Sequence, residues 1–202
     1  MNRFKTLLKL ILIMGMAMAI SACSKTVQWE EEVLLNTGET IIVKREVVYT
    51  LKGDAGNPFD MAYRPDSTET LSFNWQDKNY RYTGDAGLMV IAISPTGLKP
   101  VLAARVDING WGRKNNYPCA KPSYVQLNPS DDRRTWLWPP SIDPWLYDFP
   151  ANLMQHRGEL GELKKKYSIQ DKTDADAVIR ASRSLGRIDP TFVFLLDCKG
   201  KI

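Results

Sequence analysis

Runs rich in β-branched and other apolar residues recur through the first two thirds of the chain, each bounded by glycine, proline, asparagine or aspartate. That rhythm predicts short strands joined by turns. Val27–Leu35 and Thr40–Leu51 flank Asn36-Thr37-Gly38-Glu39, where glycine supplies the positive φ a hairpin loop requires. Gly53-Asp54-Ala55-Gly56-Asn57-Pro58, with Pro65-Asp66-Ser67 after it, has the breakers of a loop excursion. A second hairpin is predicted from Thr70–Trp75 and Tyr80–Thr83 around Gln76–Asn79. A third comes from Leu88–Ser94 and Lys99–Val106 around Pro95-Thr96-Gly97, and Ser123–Leu127 is a further short strand. This pattern predicts an α+β fold built mainly on an antiparallel meander, a sandwich or a partly closed barrel.

Beyond Pro150 the period changes. Leu153, Leu160, Leu163 and Tyr167 fall on one helical face, and Arg157, Glu159, Glu162 and Lys164–Lys166 can stay in water. A second helix is predicted over Asp174–Leu185, with Thr173 and Asp176 spaced as a capping box and Ala175, Val178, Ile179 and Leu185 as its apolar side. Thr191–Leu196 then reads as a buried final strand leading into Cys198.

The first 22 residues have a different pattern. A basic start (Arg3, Lys5, Lys9) precedes an apolar run from Leu10 to Ile20, the two leading parts of a secretory signal. A bilayer-spanning helix needs about 20 apolar residues, so the run is short for that role. It ends at Ile20-Ser21-Ala22-Cys23, which resembles the lipobox of bacterial lipoproteins. The resemblance covers residues 1–24. It implies that residues 1–22 are removed, that Cys23 is acylated (diacylglyceryl and palmitate-type chains) and that the bilayer is a partner through that cysteine. An uncleaved anchor and a plain secreted protein are the competing readings. Ser24, standing where aspartate commonly signals inner-membrane retention, implies the periplasmic face of the outer membrane. Residues 23–26 would be the anchor and a short tether, and 27–202 a single periplasmic β-rich domain. Three extended residues reach only about 10 Å, which would hold the domain against the membrane and disfavour distant partners.

Composition narrows the partners. Without Arg3, Lys5 and Lys9, the 27 basic side chains fall to 24 against 23 acidic ones, so the mature chain is nearly neutral. A nucleic-acid partner has no electrostatic support, because phosphate binding needs clustered basic charge. With Cys23 acylated, Cys119 and Cys198 remain as an even pair in an oxidising compartment, which predicts a disulfide. Closing that loop would stabilise the fold by about 4.5 kcal/mol in the chain-entropy model. Two unpaired buried thiols are the competing reading.

Catalytic chemistry finds little support. His156 is the only histidine, which removes most Ser-His-Asp, Cys-His and zinc arrangements. Asp131-Asp132 and Glu30-Glu31-Glu32 read as exposed turn and wet strand positions rather than as the facing carboxylates of a glycosidase. Asp107-Ile108-Asn109-Gly110 starts like a calcium loop without its remaining ligands and reads as a tight turn. No catalytic residue, metal site or cofactor is assigned.

The segment Trp136–Tyr147 concentrates three tryptophans and three prolines. Period two would put Trp136 and Trp138 on one strand face, with Trp145 and Tyr147 following. These residues either pack a crossover into the core or present a surface for a sugar or an envelope protein. Trp29–Leu35, Gly38–Arg45, Gly56-Asn57-Pro58-Phe59-Asp60 and the Trp-Pro-Pro segment are together similar to a group of uncharacterised small bacterial lipoproteins. That likeness implies no activity. The expected role is a non-enzymatic binding or assembly module held at the membrane, with an envelope protein or glycan partner. The alternative is a glycan-binding or carbohydrate-active protein using Trp136–Trp145, and a third reading is a surface lipoprotein of a mobile element.

Overall fold

The computed structural model of the protein describes residues 24–53, 61–106, 121–155 and 163–193. Among the described residues, nine strands form two open sheets. The first has the order β4-β3-β2-β1-β9, from β1 (Ser24–Leu34), β2 (Thr40–Gly53), β3 (Met61–Trp75), β4 (Lys78–Gly84) and β9 (Lys166–Tyr167). All its pairings are antiparallel except β9 on β1. The second has the antiparallel order β5-β6-β7-β8, from β5 (Gly87–Ile93), β6 (Pro100–Arg105), β7 (Tyr124–Pro129) and β8 (Trp136–Leu137). The fold is α+β, a sandwich-like antiparallel meander with helices near the C-terminus.

Alternation of side chains decides how the sheets pack. On β2, Ile41, Val43, Arg45, Val47 and Tyr49 are buried, while Ile42, Lys44, Glu46 and Val48 look outward. The first sheet therefore has one wet face, as antiparallel sheets allow. Its buried side meets Leu88, Ile91, Leu102, Ala104, Val125 and Leu127 of the second sheet in one apolar cluster. The second sheet is buried on both faces. Met89, Val90, Ala92, Val101, Ala103 and Tyr124 form another cluster beneath the 142–151 segment and Ile188. That double burial explains why β5 and β6 read as nearly continuous apolar runs.

Two asparagines seal the outer edge of β5. Asn36 accepts from the Ile93 N–H at 2.7 Å and donates to the Ile93 carbonyl at 2.8 Å. Asn152 does the same to Ile91, at 2.9 and 2.8 Å, and also donates to the Leu34 carbonyl at 3.0 Å. Each carboxamide stands in for a strand's peptide group. The edge is thus satisfied without a neighbouring strand, and the end of β1 is stitched to the second sheet.

The turns follow local backbone chemistry. Gly38 has φ +84°, as the Asn36–Glu39 loop requires. The β3–β4 turn contains Gln76 and Asp77, both left-handed at φ +48° and +57°, the signature of a two-residue hairpin turn. Pro65 and Asp66 are not in a loop excursion. They lie inside β3, where Asp66 accepts from Thr50 Oγ1 and Lys52 Nζ, both at 2.8 Å, across a local irregularity in the β2–β3 register.

The C-terminal third departs most from the periodicity. Leu153–Gln155 and Leu163–Lys165 are loop, and Lys166–Tyr167 is β9, so the described parts of the expected first helix are not helical. Helical structure begins at Ile169 and breaks into α1 (Ile169–Ala175), α2 (Ala177–Ala181) and α3 (Arg183–Gly186). Its capping box is Ser168 with Asp171, not Thr173 with Asp176. Asp176 instead follows α1 as a buried residue, and Val178, expected on the apolar side, is exposed. Thr191–Val193 forms no ladder, and the rest of the expected last strand lies outside the described residues.

Candidate functional site

Cys23, Cys119, Cys198 and His156 lie outside the described residues. Trp136 belongs to the core: its ring meets Tyr82 edge-on at 6.3 Å, and its indole N–H donates to the Arg81 carbonyl at 2.8 Å. Trp138 does not share that face. The β7–β8 ladder stops at Leu137, since Pro139 has no N–H to extend it, and Trp138 is 44% exposed beside Leu137 at 58%. Trp145, inside the 3-10 turn Pro144–Leu146, and Tyr147, directly after it, are half-buried against the second cluster. Trp145 Nε1 donates to Asp143 Oδ2 at 3.3 Å, and that oxygen also accepts from Gln126 Nε2 at 2.9 Å.

The strongest polar constellation lies elsewhere, on the buried face of the first sheet. Glu31, Arg45 and Glu69 are in phase with apolar neighbours on β1, β2 and β3, and each is at most 2% exposed. The register sets Arg45 opposite Trp29 and Leu71, with Glu31 and Glu69 on the diagonals, within reach of a long side chain. Arg45 Nη1 bonds Glu31 Oε1 at 2.9 Å, and Nη2 bonds Glu69 Oε2. Its guanidinium carbon also lies 5.5 Å from the centre of the Trp29 ring, a cation–π distance. Burial opposes the Arg45 charge, but attraction to Glu69 and Glu31 and their hydrogen bonds outweigh it, raising its pKa above the ordinary arginine value.

Glu31 connects this pair to the C-terminal third. Its Oε2 accepts from the Met154 N–H at 2.8 Å and faces the ammonium of buried Lys172, on α1, at 3.3 Å. Lys172 Nζ donates to the Asn152 carbonyl at 2.6 Å, and Arg45 Nη1 to the Met154 carbonyl at 3.3 Å. Asp176 Oδ2 accepts from the Gln155 N–H at 3.0 Å. The arrangement fixes the 152–155 strap and α1 to the sheet. It is built to hold, since each of these bonds joins structural elements and its charges are deeply buried.

Glu31 thus corrects the wet-strand expectation for Glu30-Glu31-Glu32: only Glu30 and Glu32 look toward water. Period two contained the signal, because Glu31 is in step with Trp29 and Val33, as Arg45 is with Val43 and Val47. Asp131 and Asp132 do occupy an exposed turn. Hydrogen bonds from Ser130 Oγ and from the Thr135 and Arg134 N–H groups hold the Asp132 carboxyl well below the usual carboxylate range.

On the wet face of the same sheet lies an open groove of about 670 Å³, whose lining includes Glu30, Lys44, Glu46, Ser72, Arg81 and Lys166. Glu30 stands between Lys44 at 3.5 Å and Lys166 at 3.7 Å, and with Arg81 and Lys165 also in the lining against Glu46, the groove is net basic. Among the described residues, no group of three histidine, cysteine or carboxylate side chains is placed to hold a metal, and no helix is long and apolar enough to cross a membrane. Comparison with protein-family models, curated proteins and solved structures finds no match.

Proposed function

We propose that the protein is a lipid-anchored envelope protein of the outer membrane's periplasmic face, a non-enzymatic binding or assembly module tied to the bilayer through acylated Cys23. The observation that carries this reading is the near end of β1: Ser24, the residue after the lipobox-like cysteine, is already paired, opposite Thr50. The expected tether, residues 24–26, is itself the first part of the strand, so acyl chains on Cys23 would hold the sheet at the membrane surface. Two or three such chains bind far more firmly than one, which alone gives only reversible association.

Intact mass of membrane-extracted protein, with and without reduction and alkylation, tests the reading. The expected result is a chain starting at Cys23 with acyl chains, and alkylation at Cys119 and Cys198 only after reduction. An unmodified chain retaining residues 1–22 would overturn it.

A glycan-binding role is the second reading, favoured by one observation: exposed Trp138 and half-buried Trp145 lie in one segment with the Asp143 carboxylate, aromatic and polar groups of the kind that hold sugars. Peptidoglycan or lipopolysaccharide fragments should then change tryptophan fluorescence, and Trp138→Ala should remove most of the response. An unchanged spectrum across the titration would count against this role.

A further inference from the structure

We infer that the groove on the wet face of the first sheet binds a sugar phosphate, with the phosphate seated over Ser72 between Lys44 and Arg81; the inference does not depend on acylation of Cys23. Strand register builds the site. Ser72 stands opposite Arg81 on one side and Lys44 on the other, Lys44 opposite Glu30, and Glu30 opposite Lys166. One row of side chains thus crosses the sheet from β4 to β9. It faces water because the neighbours of its members along each long strand are buried: Tyr80 and Tyr82 around Arg81, Leu71 and Phe73 around Ser72, Val43 and Arg45 around Lys44, Trp29 and Glu31 around Glu30.

Charge along the row is uneven. Glu30 is held by the lysines on either side of it, whereas Arg81 stands at the opposite edge of the sheet. In the lining as a whole, Lys44, Arg81, Lys165 and Lys166 oppose Glu30 and Glu46, four cations against two carboxylates, while Arg45 is matched by its buried partners Glu31 and Glu69. An excess of two suits one phosphate ester, which carries about −1.5 to −2 near neutral pH, and is too small for the backbone of a nucleic acid.

The spacing suits a single anion. Lys44 and Arg81 have one strand between them, so their backbones lie about 9–10 Å apart with the Ser72 hydroxyl in the gap. A phosphate over Ser72 would take the guanidinium fork from one side, the ammonium from the other and the hydroxyl from below, three donors around a tetrahedral anion. Arg81 is fixed at its backbone: its N–H donates to the Arg133 carbonyl at 3.0 Å and its carbonyl accepts from Trp136 Nε1 at 2.8 Å. The next row along the strands suits a hydroxyl-rich carrier. Thr70 stands opposite Glu46 and its Oγ1 lies 3.1 Å from Thr83 Oγ1, while Gln28 donates to Glu46 at 2.6 Å. The Glu46 carboxylate repels a second anion and accepts from sugar hydroxyls. A groove of about 670 Å³ is of the size that holds a small ligand.

Calorimetric titration of the full-length protein, extracted in nonionic detergent, tests the site. Glucose 6-phosphate, inorganic phosphate and glucose are added separately at constant ionic strength. The expected result is saturable binding of one glucose 6-phosphate per chain, binding of inorganic phosphate several-fold weaker, and no response to glucose. Arg81→Gln and Lys44→Gln should each weaken the ester about tenfold, whereas Lys99→Gln, in the β5–β6 turn, should leave its affinity unchanged. These side chains are exposed, so thermal midpoints should stay together and a lost affinity reports the site. No saturable heat with either phosphate compound, or equal weakening by Lys99→Gln, would overturn the inference. Inorganic phosphate binding as tightly as the ester would overturn the sugar carrier.

Discussion

Arg45 shows how much one side chain can hold when its partners are buried with it. It bridges carboxylates from both neighbouring strands, and one of those carboxylates also holds Lys172 and the Met154 N–H. Replacing it with alanine leaves Glu31 and Glu69 charged in a dry interior, and removing one member of such a pair costs about 3–5 kcal/mol. Arg45→Ala should lower the urea midpoint accordingly at an unchanged slope, and Arg45→Lys should recover only part, since a lysine cannot fork between two carboxylates. A loss under about 1 kcal/mol for Arg45→Ala would mean that the network contributes little to stability. The same scale shows why this constellation is hard to read from sequence. Period two places each charge at an apolar position of its own strand, but recognising a network requires the register between strands and the return of Lys172 from 127 residues beyond Arg45. Register depends on pairing, which local pattern does not specify.

At the scale of elements, the hairpins were the most legible part, because alternation and turn chemistry are both local. Val27–Leu35, Thr40–Leu51 and the Asn36–Glu39 loop match β1, β2 and their turn to within a few residues. Helices were less legible. Leucine spacing over 153–167 suggests a helix, yet the described ends of this stretch contribute Met154 to the network and Tyr167 to β9, and at those ends tertiary contacts outweigh local propensity. The cap also lies five residues before its expected place. Ser168 Oγ accepts from the Asp171 N–H at 3.1 Å while Asp171 Oδ2 accepts from the Ser168 N–H at 2.9 Å. Thr173 Oγ1 only donates back to the Ile169 carbonyl at 2.9 Å. Ser168→Ala should therefore destabilise by about 1 kcal/mol, whereas Thr173→Ala should be close to neutral, as denaturant midpoints would show. Asp171 offers a pH test of the same cap. Hydrogen bonding to Lys164, then to the Ser168 N–H and hydroxyl, holds its carboxyl well below the ordinary aspartate range. Since the folded value is the lower one, its contribution is present above about pH 4 and is lost as pH falls through the folded value. Carboxyl titration by NMR should place its midpoint below the ordinary value, and Lys164→Ala should move that midpoint upward.

For the molecule as a whole, stability should be graded from the second sheet outward. β5 and β6 have both faces covered, one by the first sheet and the other by the 142–151 segment and Ile188, and the open edge of β5 is closed by Asn36 and Asn152. Their amides lose protection only when both layers separate, which is global unfolding. The first sheet keeps one face in water, and the strand ends of its β2–β3 pair, Lys52–Gly53 and Met61–Ala62, are exposed. Those ends can open without disturbing either large cluster. Native-state hydrogen exchange should consequently find the slowest amides at Ile91, Leu102 and Ala103, with free energies equal to global unfolding, and much faster exchange at residues 51–53 and 61–63. Asn152→Ala gives a sharper test of this hierarchy. It leaves the Ile91 N–H and carbonyl without the amide that serves both, so it should lower global stability by about 1–3 kcal/mol and collapse protection at β5 along with it. If β5 kept its protection while only the 152–155 strap exchanged faster, the asparagine would be closing a local flap, and the second sheet would owe its stability to burial alone.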